Sequence, residues 1–348
     1  MHGVNSQQQL CAILTTMSTP VIEVTNLSKF FTVYKKQPGL WGSIESLWHR
    51  NYETLNAVEN VSFTISEGEV VGFIGMNGAG KTTTLKMLSG LLYPTRGTVS
   101  VLGYTPWERR ASFQKQFTLV MGQKNQLWWD LPAIETFNLN KAIYEIPDAK
   151  FKKTLGILTD LLEIGDSLHI QVRKLSLGQR MKCELTAALL HNPKVLFLDE
   201  PTIGLDVVMQ KTLRDFISAY NKEFGATILL TSHYMDDVKE LCKRAIIIDH
   251  GKKIFDGLLQ DITDKYARNK KLSLVFSKPV TKNELTHFGV VKEFTGDGAK
   301  YTATLLVPRN KATHVAASIL SQLPVIDVTI EEPPIEAIIR EVFSNEKK

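Results

Sequence analysis

The most constraining feature of this 348-residue chain is the stretch GMNGAGKT at positions 75–82. It follows the pattern G-x-x-x-x-G-K-T, in which glycines and a lysine form a loop around a phosphate group. The glycines permit backbone conformations that a Cβ would hinder, so successive N–H groups can converge on one anion. With the threonine that follows, the predicted phosphate-binding residues are Gly75, Met76, Asn77, Gly78, Ala79, Gly80, Lys81, Thr82 and Thr83.

The flanks of this loop favour the prediction over a chance glycine-rich turn. Residues 69–74 form an apolar run typical of a strand, and residues 84–90 show helical spacing that ends in glycine. Thr82 and Thr83 are therefore predicted to open a helix, whose N-terminus favours an anion. Lys81 is predicted to reach the outer phosphates of a nucleotide, and the Thr82 hydroxyl to bind Mg²⁺.

Two acidic residues follow a second apolar run, VLFL at positions 195–198. Such a run indicates a central strand of a parallel sheet, and ligands bind beyond the carboxyl ends of these strands. Asp199 is therefore predicted to hold Mg²⁺ through water, and Glu200 to polarise an attacking water. The alternative, two acids that simply end a strand in solvent, stays open on these residues alone.

Further motifs accompany these acids in a fixed order. Gln123 follows the phosphate loop, LSLGQ occupies positions 175–179, GLD occupies positions 204–206, and His233 follows another apolar run. A lone Gln or His is more often an ordinary surface or core residue, so their place in the series is what gives them weight. The whole series resembles the ATP-binding subunits of ABC transporters, and the resemblance covers about residues 21–258.

The resemblance implies the fold class and the assembly. The fold would be α/β: a P-loop ABC ATPase domain with a mostly parallel central sheet, an antiparallel β-subdomain and a helical subdomain that carries the LSLGQ signature. Two such subunits would bind head to tail around two Mg-ATP, the phosphate loop of one facing the signature of the other. Ser176, Gly178 and Gln179 would then contact ATP, although Leu177 stands where the family usually has glycine.

The same resemblance assigns roles to single residues. Gln123 would complete the Mg²⁺ shell, and His233 would contact the γ-phosphate and orient the attacking water. Asp206 would cross the dimer interface near the site of hydrolysis. The predicted catalytic set is therefore Glu200, His233, Lys81 and Gln123.

An aromatic side chain near the first strand would stack on the adenine of the ATP. The position that matches the family is Phe31, two residues after Lys29, and Phe30 or Tyr34 could serve instead. Each of these rings could also belong to the core, because aromatic side chains bury large apolar surfaces.

Composition restricts the setting in which the chain works. Its formal net charge of +5 is mild and, without a basic stripe, gives no reason to expect a nucleic acid partner. No apolar run approaches the ~18 residues that span a bilayer, so a transporter would need a permease from a separate polypeptide. The chain is predicted to be peripheral, at the cytoplasmic face of the cell membrane. Cys11, Cys183 and Cys242 show no metal-binding spacing and suit reduced thiols.

Two stretches offer surfaces for partners. Between positions 38 and 51, Trp41 and Trp48 share one face of a predicted amphipathic helix, which would touch the membrane or the permease, or else pack on its own domain. Trp128 and Trp129 follow Gln123, in a neighbourhood that in the family lines the groove for a short permease helix. Either one indole is exposed as a binding anchor, or both are partly buried in a loop.

The domain organisation follows from shifts in pattern along the chain. Residues 1–20 read as a flexible leader, 21–258 as the ABC ATP-binding domain, 259–270 as a linker helix and 271–348 as a C-terminal accessory domain. The accessory domain shows the element order β-α-β-β-α-β, which predicts a ferredoxin-like α+β fold. A final helix is predicted over residues 335–343.

The motif series predicts an ATP-hydrolysing subunit that works with a membrane permease and a second ATP-binding subunit, either another copy or a paralogue. Export is the expected direction because residues 331–340 look like tails of bacterial exporter ATPases, and because the long β-rich extension of sugar importers is absent. The alternative is a soluble ABC ATPase acting in translation, DNA repair or chromosome structure. Such proteins carry paired ATP domains, inserted coiled coils or zinc modules, which this sequence does not show.

Overall fold

The computed structural model describes residues 20–34, 52–122, 126–232, 234–297, 300–333 and 338. The chain divides into two units, Met1–Asp256 and Gly257–Lys348. Three predicted segments lie outside the described residues: the leader except Pro20, the amphipathic helix with Trp41 and Trp48, and the final helix except Ile338.

The described strands of the first unit largely coincide with its apolar runs. They are β1 (Pro20–Tyr34), β2 (Tyr52–Ser66), β3 (Val70–Ile74), β4 (Arg96–Val101), β5 (Phe117–Met121), β6 (Val195–Asp199), β7 (Thr227–Thr231), β8 (Arg244–Asp249) and β9 (Lys252–Leu258). Its helices are α1 (Lys81–Leu88), α2 (Ala111–Gln114), α3 (Ala133–Ile143), α4 (Asp148–Leu162), α5 (Leu177–Leu189), α6 (Val207–Phe224) and α7 (Met235–Leu241). Short 3-10 turns cover Pro106–Glu108, Gly165–Ser167 and Val172–Lys174.

The central sheet has the strand order β5-β6-β7-β3-β8-β9. Its strands pair in parallel from β5 through β8. Every residue of β6 and β7 is buried, as expected of strands covered on both faces. Because parallel strands end at the same edge, the loops after β3, β6 and β7 lie side by side, and this edge carries the phosphate loop and the two acids.

A second, antiparallel sheet has the order β2-β1-β4. It contributes Ile22 and Phe63 to the core that also contains Phe73 of β3 and Leu85 of α1. Helices α3 and α4 pack against α5, the helix that begins within the LSLGQ signature. These three parts confirm the predicted fold class of a mostly parallel sheet, an antiparallel β-subdomain and a helical subdomain.

The second unit contains the helices α8 (Leu259–Tyr266), α9 (Lys282–Thr286) and α10 (Ala312–Gln322). Its strands are β10 (Asn269–Phe276), β11 (Val290–Asp297), β12 (Lys300–Pro308) and β13 (Val325–Glu331), and a 3-10 turn covers Arg309–Lys311. The antiparallel strand order is β11-β12-β10-β13, which with the β-α-β-β-α-β chain order is the predicted ferredoxin-like arrangement. Leu272, Leu305 and Ile319 are fully buried in its own core.

Two further findings bear on the predicted setting. None of the helices in the described part of the chain is long and apolar enough to cross a membrane. Cys183 and Cys242 are both buried and free of disulfides. Burial raises the pKa of the Cys183 thiol to about 11, so this side chain is an inert, protonated thiol at neutral pH.

Candidate functional site

A cavity of about 540 Å³ lies at the edge of the central sheet where β3 and β6 end. Residues 76–83 of the phosphate loop form one wall, and residues 55–57 of β2 form another, together with Phe31. Glu200 and Ile203 complete the lining. The structure thus brings the predicted loop, the predicted aromatic residue and one predicted acid to a single cavity.

The loop glycines are required for two different reasons. Gly78 and Gly80 have φ angles of +80° and +105°, in the left-handed region that favours glycine. A Cβ on Gly75 would lie 2.5 Å from the carbonyl oxygen of Ile248, so this glycine is required by the close approach of β8. The expected backbone freedom is therefore used at Gly78 and Gly80, whereas Gly75 has no positive φ and is required by packing. Helix α1 begins at Lys81, one residue earlier than predicted.

Lys81 is held inside the loop as a buried cation. Only 5% of the residue is exposed, and its Nζ donates to the carbonyl oxygens of Gly75 (2.7 Å) and Met76 (3.2 Å). Burial lowers the pKa of Lys81, while the carboxylates of Glu200 and Asp199 act in the opposite direction. The ammonium group is therefore positioned at the phosphate loop by contacts within its own chain.

Asp199 joins the ends of two strands to the loop helix. Its carboxylate accepts a hydrogen bond from the Thr82 hydroxyl (2.8 Å) and another from the Thr231 hydroxyl (2.7 Å). A threonine hydroxyl beside a carboxylate is the oxygen chemistry that Mg²⁺ prefers, so these residues fit the ion. Sequence reasoning missed Thr231, which stands opposite Asp199 in the β6–β7 pairing.

Glu200 occupies the first position after β6 and is half-buried beside the cavity. Its φ of +54° lies in the left-handed region, which is uncommon for a residue with a side chain. Its N–H donates to the carbonyl oxygen and to the hydroxyl of Thr231, each at 3.1 Å. An unusual backbone conformation held by β7 therefore aims a carboxylate at the phosphate loop, an arrangement that suits a base beside a phosphate.

The aromatic wall of the cavity is Phe31, which pairs with Leu55 across β1 and β2. The Lys29 ammonium lies 5.2 Å from the centre of the Phe31 ring. Phe30, an alternative that the sequence offers, does not line the cavity. The side chain of Tyr34 lies outside the described residues.

Ser176 and Gln179 of the signature are exposed, Gly178 is half-buried, and none of the three lines this cavity. Ser176 caps helix α5: its hydroxyl accepts from the Gln179 N–H (3.2 Å), and its N–H donates to the Gln179 side chain (3.0 Å). A Cβ on Gly178 would lie 2.7 Å from the terminal methyl carbon of Met209, so a larger residue there would require the Met209 side chain to move. Asp206 caps helix α6 by accepting from the Met209 N–H at 2.9 Å.

Gln123 and His233 lie outside the described residues, but the residue directly before each of them is described. The N–H of Gly122 donates to the carbonyl oxygen of Asp199 at 2.9 Å. Ser232 is buried at the end of β7. Both predicted residues therefore follow segments that are attached to the edge of the sheet where Asp199 and Glu200 lie.

The fold and this cavity define a P-loop nucleotide-binding domain. Residues 58–203 match the family described as ABC transporter, and residues 268–331 match the EvrA-like ABC transporter C-terminal domain. The ABC transporter ATP-binding protein NatA of Bacillus subtilis is 32% identical over 230 residues, which are 66% of this chain and 93% of NatA. The chain belongs to the family of ATP-binding subunits of ABC transporters.

Other relatives agree with this assignment. The Nod factor export ATP-binding protein I of Burkholderia lata is 33% identical over 69% of this chain and 79% of its own length. A solved structure of an ATP-binding subunit of an ABC transporter is 28% identical, with a TM-score of 0.59 over 71% of this chain and 93% of that one. These relatives are transporter subunits, so the alternative of a soluble ABC ATPase in translation, repair or chromosome structure is not favoured.

A buried carboxyl group connects the segment after Gln123 to the signature helix. Glu184 on α5 is 2% exposed, and it accepts a hydrogen bond from the backbone N–H of Gln126. Its Oε1 lies 3.9 Å from Nε of Arg180 and has no hydrogen-bond partner among the described residues. Burial raises the pKa of Glu184 to about 7, while Arg180 and the Gln126 N–H oppose the shift. Ionising this residue therefore works against the fold.

Replacing Glu184 with glutamine is expected to stabilise the protein at high pH. The folded-state pKa of about 7 exceeds the ordinary 4.5, so the folded protein binds more protons in this window and loses stability as the pH rises through it. Glutamine removes the ionisation and should raise the free energy of unfolding by about 2 kcal/mol at about pH 8, with little change at about pH 5. Thermal unfolding at both pH values measures this, with the exposed Glu223→Gln as the control. An equal effect of Glu184→Gln at both values would contradict the prediction.

Proposed function

We propose that this chain hydrolyses ATP, in a pair with a second ATP-binding subunit, to drive export through a separate membrane permease. The observation that carries the proposal is the convergence of Lys81, Thr82 and Glu200 on one cavity, with Asp199 hydrogen-bonded to Thr82. These groups supply a cation, a magnesium ligand and a base within the reach of one phosphate chain.

The proposed reaction is attack of water on the γ-phosphorus of ATP, which breaks the bond to the oxygen that bridges the β- and γ-phosphates. The loop N–H groups and Lys81 hold the phosphates, and Glu200 accepts a proton from the water, so that ADP and phosphate are released. Thr82, Asp199 through water, and Gln123 would hold Mg²⁺, which would supply neutralisation of phosphate charge. His233 orients the water and contacts the γ-phosphate, and Phe31 stacks on the adenine.

The position of the signature residues suits contact with a second subunit. Ser176, Gly178 and Gln179 lie outside their own chain's cavity, so we assign them to the ATP held by a partner. Asp206 is exposed at the start of α6 and would lie in the same interface. The partner is a second copy or a paralogue, and the pair is peripheral at the cytoplasmic face of the cell membrane.

Trp128 and Trp129 form the surface that we assign to the permease. Both indoles are exposed, at 58% and 46%, whereas the preceding Leu127 is buried. A separate cavity of about 510 Å³, lined in part by Gln126 and by Asn140 of α3, offers a groove for a short permease segment. Tryptophans are frequent anchors in protein interfaces.

The tryptophan loop is attached to the signature helix, which gives permease binding a route to the ATP site. The Arg173 N–H donates to the Trp129 carbonyl oxygen (3.0 Å), and the Arg173 side chain forms an ion pair with Asp130 (3.0 Å). The Arg180 guanidinium on α5 lies 5.4 Å from the Trp129 ring. A force on this loop would therefore reach the helix that Ser176 caps.

Replacing Trp128 or Trp129 with alanine is expected to weaken permease binding by at least about tenfold, because buried aromatic anchors dominate interface energies. ATP affinity of the isolated subunit should stay within about threefold of the wild type, since neither indole lines the ATP cavity. Co-purification with the permease and ATP titration measure the two effects. Tyr93→Ala, at an aromatic residue that is 62% exposed elsewhere, is the control. Unchanged complex formation in both tryptophan variants would remove the assignment.

The experiment that tests the whole proposal is affinity purification of the tagged chain from detergent-solubilised membranes, followed by identification of its partners. A stoichiometric multi-span protein, and ATP hydrolysis that depends on it, would support a transporter subunit. The export direction agrees with the name of the Nod factor export relative, and transport of substrate into inverted vesicles of the purified complex would test it. Recovery without any membrane protein would contradict the proposal.

A further inference from the structure

A buried anion lies behind the edge of the sheet that carries the candidate site. Asp237, near the start of α7, is 0% exposed. One of its carboxylate oxygens accepts from the hydroxyls of Thr202 and Ser232, both at 2.6 Å. The other accepts from Nη1 of Arg214 at 3.0 Å. Three segments that are distant in sequence thus meet at one carboxylate.

Two of these partners belong to segments that leave the sheet at the candidate site. Thr202 lies two positions after Glu200, in the loop that leaves β6. Ser232 follows directly after β7, and its hydroxyl also accepts from the Tyr234 N–H at 2.9 Å. Arg214 lies on α6, the helix that Asp206 caps. Asp237 therefore connects the Glu200 loop, Ser232 at the end of β7 and the helix that follows Asp206.

We propose that Asp237 is a positioning residue for ATP hydrolysis, holding the Glu200 loop and the end of β7 in a fixed relation. This rests on the proposed role of Glu200 as the base. Glu200 itself keeps an uncommon left-handed φ of +54°, which persists only when its surroundings constrain the loop on both sides. Thr231 constrains the loop at the Glu200 N–H, and Asp237 constrains it through Thr202.

A charged acceptor makes these short hydrogen bonds strong, and strong bonds fix the positions of Thr202 and Ser232. Hydroxyl–carboxylate bonds of this length are among the stronger ones in proteins, and they are stronger still away from water. Arg214 is 7% exposed and neutralises the buried carboxylate. It also donates to Glu240 at 2.8 Å, a residue whose side chain is 50% exposed. Arg214 thus has two carboxylate partners. Asp237 holds the site loops, and Glu240 does not.

The test compares Asp237→Asn with Glu240→Gln in the complete transporter. Both changes remove one negative charge from Arg214, but only the first weakens the bonds to Thr202 and Ser232. Asp237→Asn is expected to lower kcat for ATP roughly 10- to 100-fold, because small displacements of catalytic groups have effects of this size, with KM within about threefold of the wild type. Glu240→Gln is expected to keep kcat within about twofold. An equal loss in both variants, or a loss confined to KM, would overturn the proposal.

Two milder variants decide the matter if Asp237→Asn does not fold. Thr202→Val and Ser232→Ala each remove one hydroxyl that donates to Asp237. Each should lower kcat without raising KM. Where Asp237→Asn does fold, adding either change to it should have little further effect on kcat. Normal kcat in both variants would overturn the proposal.

Glu200→Gln, measured in parallel, separates this proposal from the function on which it rests. Full activity of that variant would remove the assignment of Glu200 as the base. Its inactivity together with normal kcat in Asp237→Asn would instead remove only the positioning role.

Discussion

Replacing Glu200 with glutamine is expected to lower the turnover of ATP by about 100- to 10,000-fold while ATP binding persists. The amide keeps the size of the side chain but cannot accept a proton from the attacking water. The backbone that aims the side chain is held by Thr231 through the Glu200 N–H, which the substitution does not touch. Binding should therefore survive, and ATP should remain trapped between the paired subunits. Phosphate release at saturating ATP and a titration with ATP measure the two quantities separately.

The control for this variant is the same substitution at the opposite edge of the central sheet. Glu67 is exposed just before β3, on the edge of the sheet away from the cavity. Glu67→Gln should leave both turnover and ATP affinity unchanged, within about twofold. If Glu200→Gln turned over ATP at the normal rate, another group would have to accept the proton. A loss of ATP affinity equal to the loss of turnover would point to a damaged cavity.

Local sequence was enough to predict the parts of the site that one segment builds by itself. The loop at 75–83 depends on glycine conformations and on a strand and a helix that flank it, all of which are visible within a few residues. The position of Asp199 and Glu200 depends on the burial of β6, which its apolar run indicates. Parallel pairing then brings the two segments to the same edge without any further information.

Contacts between distant segments could not be predicted in the same way. Asn56 and Ala57 form a wall of the cavity only because β2 pairs with β1 in a register that contains several shifts. Register is set by pairing and packing across the sheet, and composition does not reveal it. Asp237 is a similar case, because its sequence neighbourhood resembles the first turn of an ordinary surface helix. Its burial is decided by Thr202 and Arg214, which lie 35 and 23 positions away.

The role of the LSLGQ signature depends on a second chain. Ser176 and Gln179 are predicted to contact ATP, yet in the structure they complete a capping box and lie outside the cavity. The capping box explains their spacing by local hydrogen bonding alone. Their proposed ligand belongs to a second subunit, so neither the sequence pattern nor the fold of one chain can place them beside it. Their contact with ATP stays a prediction.

Replacing Lys81 with alanine is expected to weaken ATP binding by at least about 100-fold, because the ammonium makes the charge-assisted bonds to the outer phosphates. Lys81 is buried and already held at the loop by the carbonyl oxygens of Gly75 and Met76. A cation in that position needs little reorganisation before it contacts a ligand, so its loss removes binding energy directly. Titration of the purified subunit with ATP measures the change.

The matched control for this variant is Lys86→Ala, which removes the same charge from the last turn of the same helix. Lys86 does not line the cavity, so ATP affinity should stay within about threefold of the wild type. The comparison separates two effects of the lysine charge. Loss of a direct contact with the phosphates should weaken ATP binding only in Lys81→Ala. Loss of general attraction for an anion would weaken binding in both variants alike, and this attraction falls with added salt. Thermal unfolding of Lys81→Ala is needed beside it, because the variant leaves two loop carbonyls without their partner. A folded Lys81→Ala protein that binds ATP normally would show that the loop and its N–H groups hold the phosphates without the lysine.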